Sequence, residues 1–158
     1  MYQDNVVYLT KEGLEKIHAE LEHLKNERRT ELAARLQAAI AQGDLSENAD
    51  YEYTKQEQAF VEGRIKELEA SLRRAEIIDS NGRADKVRVG STVTLLAEAA
   101  GAEPETYFIV GVHEADPANG RISNESPIGR ALLGAKVGQT VVAEAPAGQL
   151  RLTVKEIR

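Results

Sequence analysis

The segment Gly43-Asp44-Leu45-Ser46-Glu47-Asn48-Ala49-Asp50-Tyr51 carries three carboxylates, Asp44, Glu47 and Asp50, at i, i+3 and i+6. On a helix, Asp44 and Glu47 would lie about one turn apart on one face. Hard carboxylate oxygens in that arrangement suit a cation such as Mg2+, but two such ligands hold it weakly, and a partner site must supply the rest. The spacing also has a plainer reading. Asp44 as N-cap with Glu47 at the third helical position forms a capping box, and acids at a helix start are favoured by the helix dipole. A cap needs only one acid, however, and three stand here.

Most self-contained chemistries are excluded elsewhere in the chain. There is no Cys, which removes disulfides, thiolate metal sites and Cys nucleophiles. His18 and His23 are five residues apart and His113 is remote from both, so no pair has metal-ligand spacing. No nucleophile elbow, P-loop or dinucleotide-binding glycine pattern occurs. The chain is therefore not expected to be an enzyme by itself. Its formal net charge of −6 argues against direct docking on a nucleic-acid backbone, which requires a basic face. An acidic protein acting on nucleic acid would dock on a protein first. Met1-Tyr2-Gln3-Asp4 has neither the basic nor the apolar region of a secretion signal, and nowhere do about 18 apolar residues run together. A soluble, cytoplasmic protein with no membrane partner is expected.

The elements that must position the acids are legible from periodicity. Residues 11–42 and 44–76 are rich in Ala, Leu, Glu, Lys, Gln and Arg and contain no Pro, which predicts two helices. Thr10 is the expected N-cap of the first, with Leu9 and Leu14 as a hydrophobic staple. Leu14, Ile17, Leu21 and Leu24 form its apolar stripe, which resumes at Leu32, Leu36 and Ile40 after a shift in phase. In the second helix Tyr51, Thr54, Gln58, Val61, Ile65, Leu68, Leu72 and Ala75 recur at alternating spacings of three and four, as in a two-helix seam. Gly43 suits the left-handed residue that ends a helix, and the short Gly43-Asp44 link forces an antiparallel hairpin. At 1.5 Å per residue, roughly 30 residues make an arm of about 45 Å with the acids at its end. Alanines at 33, 34, 38, 39 and 41 either serve simply as the best helix formers or keep that end slim enough for a narrow passage.

From residue 87 the period becomes two. Val87, Val89, Val93 and Leu95 alternate with polar residues, as do Tyr107 and Ile109, and later Leu150, Leu152 and Val154. Asn81-Gly82, Gly101, Pro117-Ala118-Asn119-Gly120, Gly138 and Pro146-Ala147-Gly148 mark turns, and a short helix is expected at about 127–133. The fold class is therefore α+β: a helical hairpin over 1–76, a polar linker over 77–86, and a small antiparallel-sheet domain with one short helix over 87–158. Residues 1–76 carry a net charge of −5 and residues 77–158 a net of −1, so the acidity resides in the hairpin, largely as a solvated face.

Gly-Asp-Leu-Ser-Glu-Asn-Ala-Asp-Tyr at 43–51 and Gln58-Ala59-Phe60-Val61-Glu62-Gly63-Arg64-Ile65 closely resemble the tip and returning helix of the GreA/GreB family of bacterial transcript cleavage factors. Leu9-Thr10-Lys11-Glu12-Gly13-Leu14 and Ser126-Pro127-Ile128-Gly129-Arg130-Ala131-Leu132-Leu133-Gly134 are similar to further family patterns, in the same order. The resemblance implies an N-terminal antiparallel coiled coil and a C-terminal domain like the FK506-binding-protein fold, without isomerase activity. It implies that the C-terminal domain docks at the rim of the RNA polymerase secondary channel, with Ser126 and Pro127 in the docking surface. The coiled coil would reach down the channel and bring Asp44 and Glu47 to the polymerase's second Mg2+, a cofactor shared with the polymerase and not held by the free protein. There the acids help orient an attacking water, and the polymerase cuts the 3′ end of backtracked nascent RNA. Asn48 and Tyr51 would shape the tip. Lys55, with Arg35 farther back, would be the basic residues touching RNA. Ile40 and Gln42 leave the first helix without a cation beside the tip, so RNA contact is expected to be weak and short cleavage products favoured. The runner-up is a non-cleaving relative that occupies the same channel; the presence of both acids favours cleavage. The free protein is expected to be monomeric.

Overall fold

The computed structural model describes residues 6–79 and 84–158. The stretch Met1–Asp4, the Asn81-Gly82 turn signal and the middle of the expected linker lie outside the described residues. Contacts divide the chain into a helical unit, Leu14–Arg74, and a sheet unit that combines the N-terminal stretch up to Gly13 with Ala75–Arg158.

In the helical unit the chain runs through α1 (Lys11–Glu22), a π-helical turn (His23–Arg28) and α2 (Arg29–Ala41), and returns as α3 (Ala49–Arg73). Thr10 caps α1 as expected, its Oγ1 accepting from the Gly13 N–H at 3.0 Å. The π turn explains the phase shift of the apolar stripe. Such a turn inserts one residue into the i→i−4 ladder, so every side chain downstream is displaced by one position around the helix. Ile17 and Leu21 are buried before it, Leu32 and Ala39 after it. Ile40, expected on the seam, is 47% exposed, and its place is taken by the fully buried Ala39. The stripe leaves Leu36 by a step of three, not four.

The face that α3 buries is Thr54, Val61, Ile65, Leu68 and Ser71, so the 3-4 pattern does mark the seam; Tyr51, Gln58 and Leu72 are half-buried on its flanks. At 25 residues α3 is about 37 Å long. It starts later and ends earlier than composition implied, and Ala75 belongs to a strand. Charged side chains bridge the two helices along the seam. Arg29 grips Glu62 through Nε and Nη2 (2.6 and 2.8 Å), Arg64 grips Glu20 (2.8 and 3.2 Å), and Lys25 pairs with Glu69. Exposed pairs of this kind add little stability each, but at successive turns they fix which residues face one another. Part of the expected solvated acidic face is thus engaged across the hairpin.

In the sheet unit β1 (Val7–Leu9) lies parallel to β2 (Ala75–Ile77). The main sheet has the order β5-β4-β3-β7-β6, with β3 (Thr92–Ala97), β4 (Glu105–Val110), β5 (Arg121–Ser123), β6 (Thr140–Ala145) and β7 (Gly148–Ile157). Neighbours are antiparallel apart from β4 and β5, which are parallel. α4 (Pro127–Leu132) packs against β6 and closes a core of Val93, Leu95, Ile109, Leu132, Val141 and Val154. Val87 and Val89, read as strand residues, precede β3 in an irregular segment. Val87 still enters the core, and its N–H and carbonyl bond Ala135 and Gly134.

Candidate functional site

The turn between α2 and α3 is longer than the two-residue link expected and runs from Gln42 to Asn48. Gly43 adopts φ +106°, the positive backbone angle that lets the chain leave α2. The cap of α3 is Asn48, not Asp44. Its Oδ1 accepts from the Tyr51 N–H at 3.0 Å, while its Nδ2 donates to the Ala39 carbonyl of α2 at 2.7 Å. One side chain, 9% exposed, thus satisfies an orphan donor of one helix and supplements the last carbonyls of the other. The acids favoured by the dipole are Asp50 and Glu52, in the first turn of α3.

This arrangement overturns the capping-box reading of Asp44 and Glu47. Both precede the cap, in the irregular turn, so neither occupies a helical position, and the one-turn, same-face relation expected of a helix does not apply. Both are exposed. Asp44 Oδ1 accepts two bonds from Ser46, one from the backbone N–H (2.9 Å) and one from Oγ (2.7 Å). Oδ2 has no partner among the described residues. The Ser46 hydroxyl, and after it the Ser46 N–H, hold the Asp44 carboxyl below the usual carboxylate range. Glu47 makes no hydrogen bond or ion pair among the described residues. Sequence reasoning missed Ser46; its signal is an Asx turn, in which an Asp side chain bonds the backbone two residues on.

The third acid plays a different part. Asp50 Oδ1 pairs with Arg35 Nη2 at 2.8 Å, and the Arg35 guanidinium lies 5.1 Å from the Tyr53 ring centroid. Arg35, expected to be available to RNA, is therefore committed across the hairpin, and Asp50 raises its pKa first through that hydrogen bond. Lys55 is exposed and has no ionic partner among the described residues. Tyr51 stands half-buried in the first turn of α3. In the sheet unit Ser126 caps α4, accepting from the Gly129 N–H at 3.0 Å and donating to the Ser123 carbonyl at 2.7 Å, and exposed Pro127 opens the helix. Gly129 is required there: a Cβ would stand 2.0 Å from the Ser123 carbonyl oxygen.

Asp44 and Glu47 are hard oxygen donors of the type Mg2+ takes. Among the described residues no group of three or more His, Asp or Glu is placed to hold a metal ion. His23 Nδ1 lies 2.8 Å from Glu27, and His18 is exposed on α1. No helix among them is long and apolar enough to cross a membrane.

The turn of the helical hairpin thus presents two exposed carboxylates that, among the described residues, neither cap a helix nor pair with a cation. Residues 7–77 match the family described as Transcription elongation factor, N-terminal, and residues 82–158 match Transcription elongation factor, GreA/GreB, C-term. The transcription elongation factor GreA of Caldanaerobacter subterraneus subsp. tengcongensis is 52% identical over 153 residues, covering 96% of this chain and 97% of that protein. That of Bacillus subtilis is 45% identical over 157 residues, 99% of each chain. A crystal structure of GreA factor homolog 1 from Thermus thermophilus is 33% identical and covers 98% of this chain and 99% of that one, with a TM-score of 0.44. The chain belongs to the GreA/GreB family of transcription elongation factors.

Proposed function

We propose that this elongation factor binds RNA polymerase, inserts its hairpin into the secondary channel and stimulates the polymerase's own cleavage of backtracked nascent RNA, so rescuing arrested complexes. The observation that carries the reading is that Asp44 and Glu47 are both exposed and, among the described residues, neither caps a helix nor pairs with a cation. Two carboxylates are too few to hold Mg2+ alone and are suited to sharing it with ligands from a partner. The ion, when bound, supplies Lewis-acid stabilisation of the oxygens at the scissile phosphate. Asp44 and Glu47 would contribute negative charge and oxygen ligands to it and would help orient the attacking water. The bond-breaking machinery belongs to the polymerase.

In this reading Asn48 and Tyr51 hold the turn in shape, and Arg35 steadies Asp50. Lys55 is left as the cation for the RNA 3′ end, with Ser126 and Pro127 in the surface of the sheet unit that meets the polymerase rim. The test is cleavage of RNA in a stalled, backtracked elongation complex by wild type and by Asp44→Asn/Glu47→Gln. The expected result is acceleration by wild type alone, with both proteins competing equally for polymerase. Equal binding without cleavage by either would make the chain a channel-occupying regulator.

A further inference from the structure

We infer that Glu114 is a positioning residue for the tip acids: it completes the capping box of α1 from the sheet unit, and so holds the root from which Asp44 and Glu47 are carried. The assignment rests on the cleavage reading above and adds to it a residue remote from the tip.

A capping box needs an acid or amide at the third helical position, whose side chain reaches back to the N–H of the N-cap residue. In α1 the N-cap is Thr10 and the third position is Gly13, which has no side chain to offer. Glu114 supplies the missing group. Its Oε2 accepts from the Thr10 N–H at 2.7 Å, and its Oε1 accepts from the Thr10 hydroxyl, whose oxygen in turn accepts from the Gly13 N–H at 3.0 Å. The absence of a side chain at Gly13 also admits the carboxyl group, because a Cβ there would stand 2.6 Å from both carboxylate oxygens. Arg121 holds the acid from its other side: Nη2 donates to Oε1 at 3.2 Å and Nε to the Glu114 carbonyl at 3.3 Å. The Glu114 side chain is left 10% exposed. Gly111, just before the turn Val112–Glu114, lets that turn close on β1, since a Cβ on it would collide with the Tyr8 carbonyl oxygen.

A cap alone calls for no such arrangement. A Glu at position 13 would cap α1 locally and spare the helix a glycine, which weakens it. What Glu114 adds is a tie between the first turn of α1 and the turn that follows β4. From Lys11 to Ala41 the outgoing helices run for roughly 45 Å. A tilt of about 1.3° at the root of such an arm moves its end by about 1 Å, and a misplacement of that size can slow a reaction about a hundredfold.

The experiment separates the cap from the tie. Glu114→Ala removes both. Gly13→Glu/Glu114→Ala rebuilds the box within α1 and leaves the tie broken, and Thr10→Asp/Glu114→Ala rebuilds a cap there by a second route. Amide hydrogen exchange over residues 11–14 of the free protein identifies the rebuilt variant whose first turn is as protected as in wild type. RNA cleavage is then followed in the stalled, backtracked elongation complex as a function of factor concentration, below the unfolding transition of every variant. Glu114→Ala and the rebuilt variant should both cleave more slowly at saturation, by up to about a hundredfold, with the half-saturating concentration unchanged. A wild-type maximal rate in Glu114→Ala overturns the inference, and so does recovery of that rate in the rebuilt variant, which makes Glu114 a cap and nothing more. A change confined to the half-saturating concentration also overturns it, because Glu114 would then act in polymerase binding. Failure of the underlying reading is distinct: wild type itself would give no acceleration at any concentration.

Discussion

Asn48 and Asp44 divide work that a single capping residue was expected to do. Asn48 joins the end of α2 to the start of α3, and its replacement by Ala removes the side-chain cap of α3. We expect Asn48→Ala to lower unfolding stability by about 1–2 kcal/mol, the usual value of a cap. Asp44→Ala should leave the unfolding midpoint nearly unchanged. Urea titrations of the helical signal decide the order; a larger loss at Asp44 would restore the capping box. The spacing Asp44-x-x-Glu47 satisfied the rule for a box, but Asp44, Ser46 and Asn48 are all competent caps by type. What selects Asn48 is the reach of its Nδ2 to the Ala39 carbonyl, a contact that exists only once the two helices lie side by side. Which acids could do chemistry was therefore visible in the residue types, whereas their release from structural duty was not. Arg35 shows the opposite case: its sequence position beside the tip was legible, while its commitment to Asp50 and Tyr53 depends on the hairpin's register.

At the level of elements, the seam of the hairpin followed from the apolar period, including the break of phase between Leu24 and Leu32. The break has a physical cause in the π turn at His23–Arg28, which accommodates one residue beyond the α-helical count. A prediction follows from that count. Deleting the exposed Asn26 should convert the π turn to α-helix, keep Leu32, Leu36 and Ala39 on the seam, and cost little stability. Deleting the exposed Lys66 from α3, which has no such turn to absorb it, should rotate Leu68 and Ser71 out of the seam by about 100°. Losing the burial of Leu68 alone costs about 1.5–3 kcal/mol. Thermal unfolding of the two deletions should therefore separate clearly, with the Lys66 deletion the less stable; equal losses would refute the assignment of the π turn as the point of rephasing. The strand ends were less legible. Ala75 continues the helical spacing of α3, yet pairs with Val7 in a parallel two-stranded sheet, because a partner strand from the N-terminus is available to it. Val87 has the alternation of a strand but finds its hydrogen bonds in the loop after α4.

For the whole molecule, the functional reading turns on division of labour between this chain and its partner. The exposed, uncapped pair Asp44 and Glu47 is incomplete as a metal site, and the chain is acidic rather than basic, so affinity for the transcribing complex should come chiefly from protein contacts. The most direct measurement is the Mg2+ dependence of RNA cleavage in a stalled, backtracked elongation complex saturated with factor. With the wild-type chain the Mg2+ concentration for half-maximal cleavage should fall relative to polymerase alone, because two added carboxylates ligate the ion. With Asp44→Asn/Glu47→Gln it should return to the value of polymerase alone while binding is retained. An identical Mg2+ midpoint for wild type and the double variant would contradict the delivery of metal ligands by this chain.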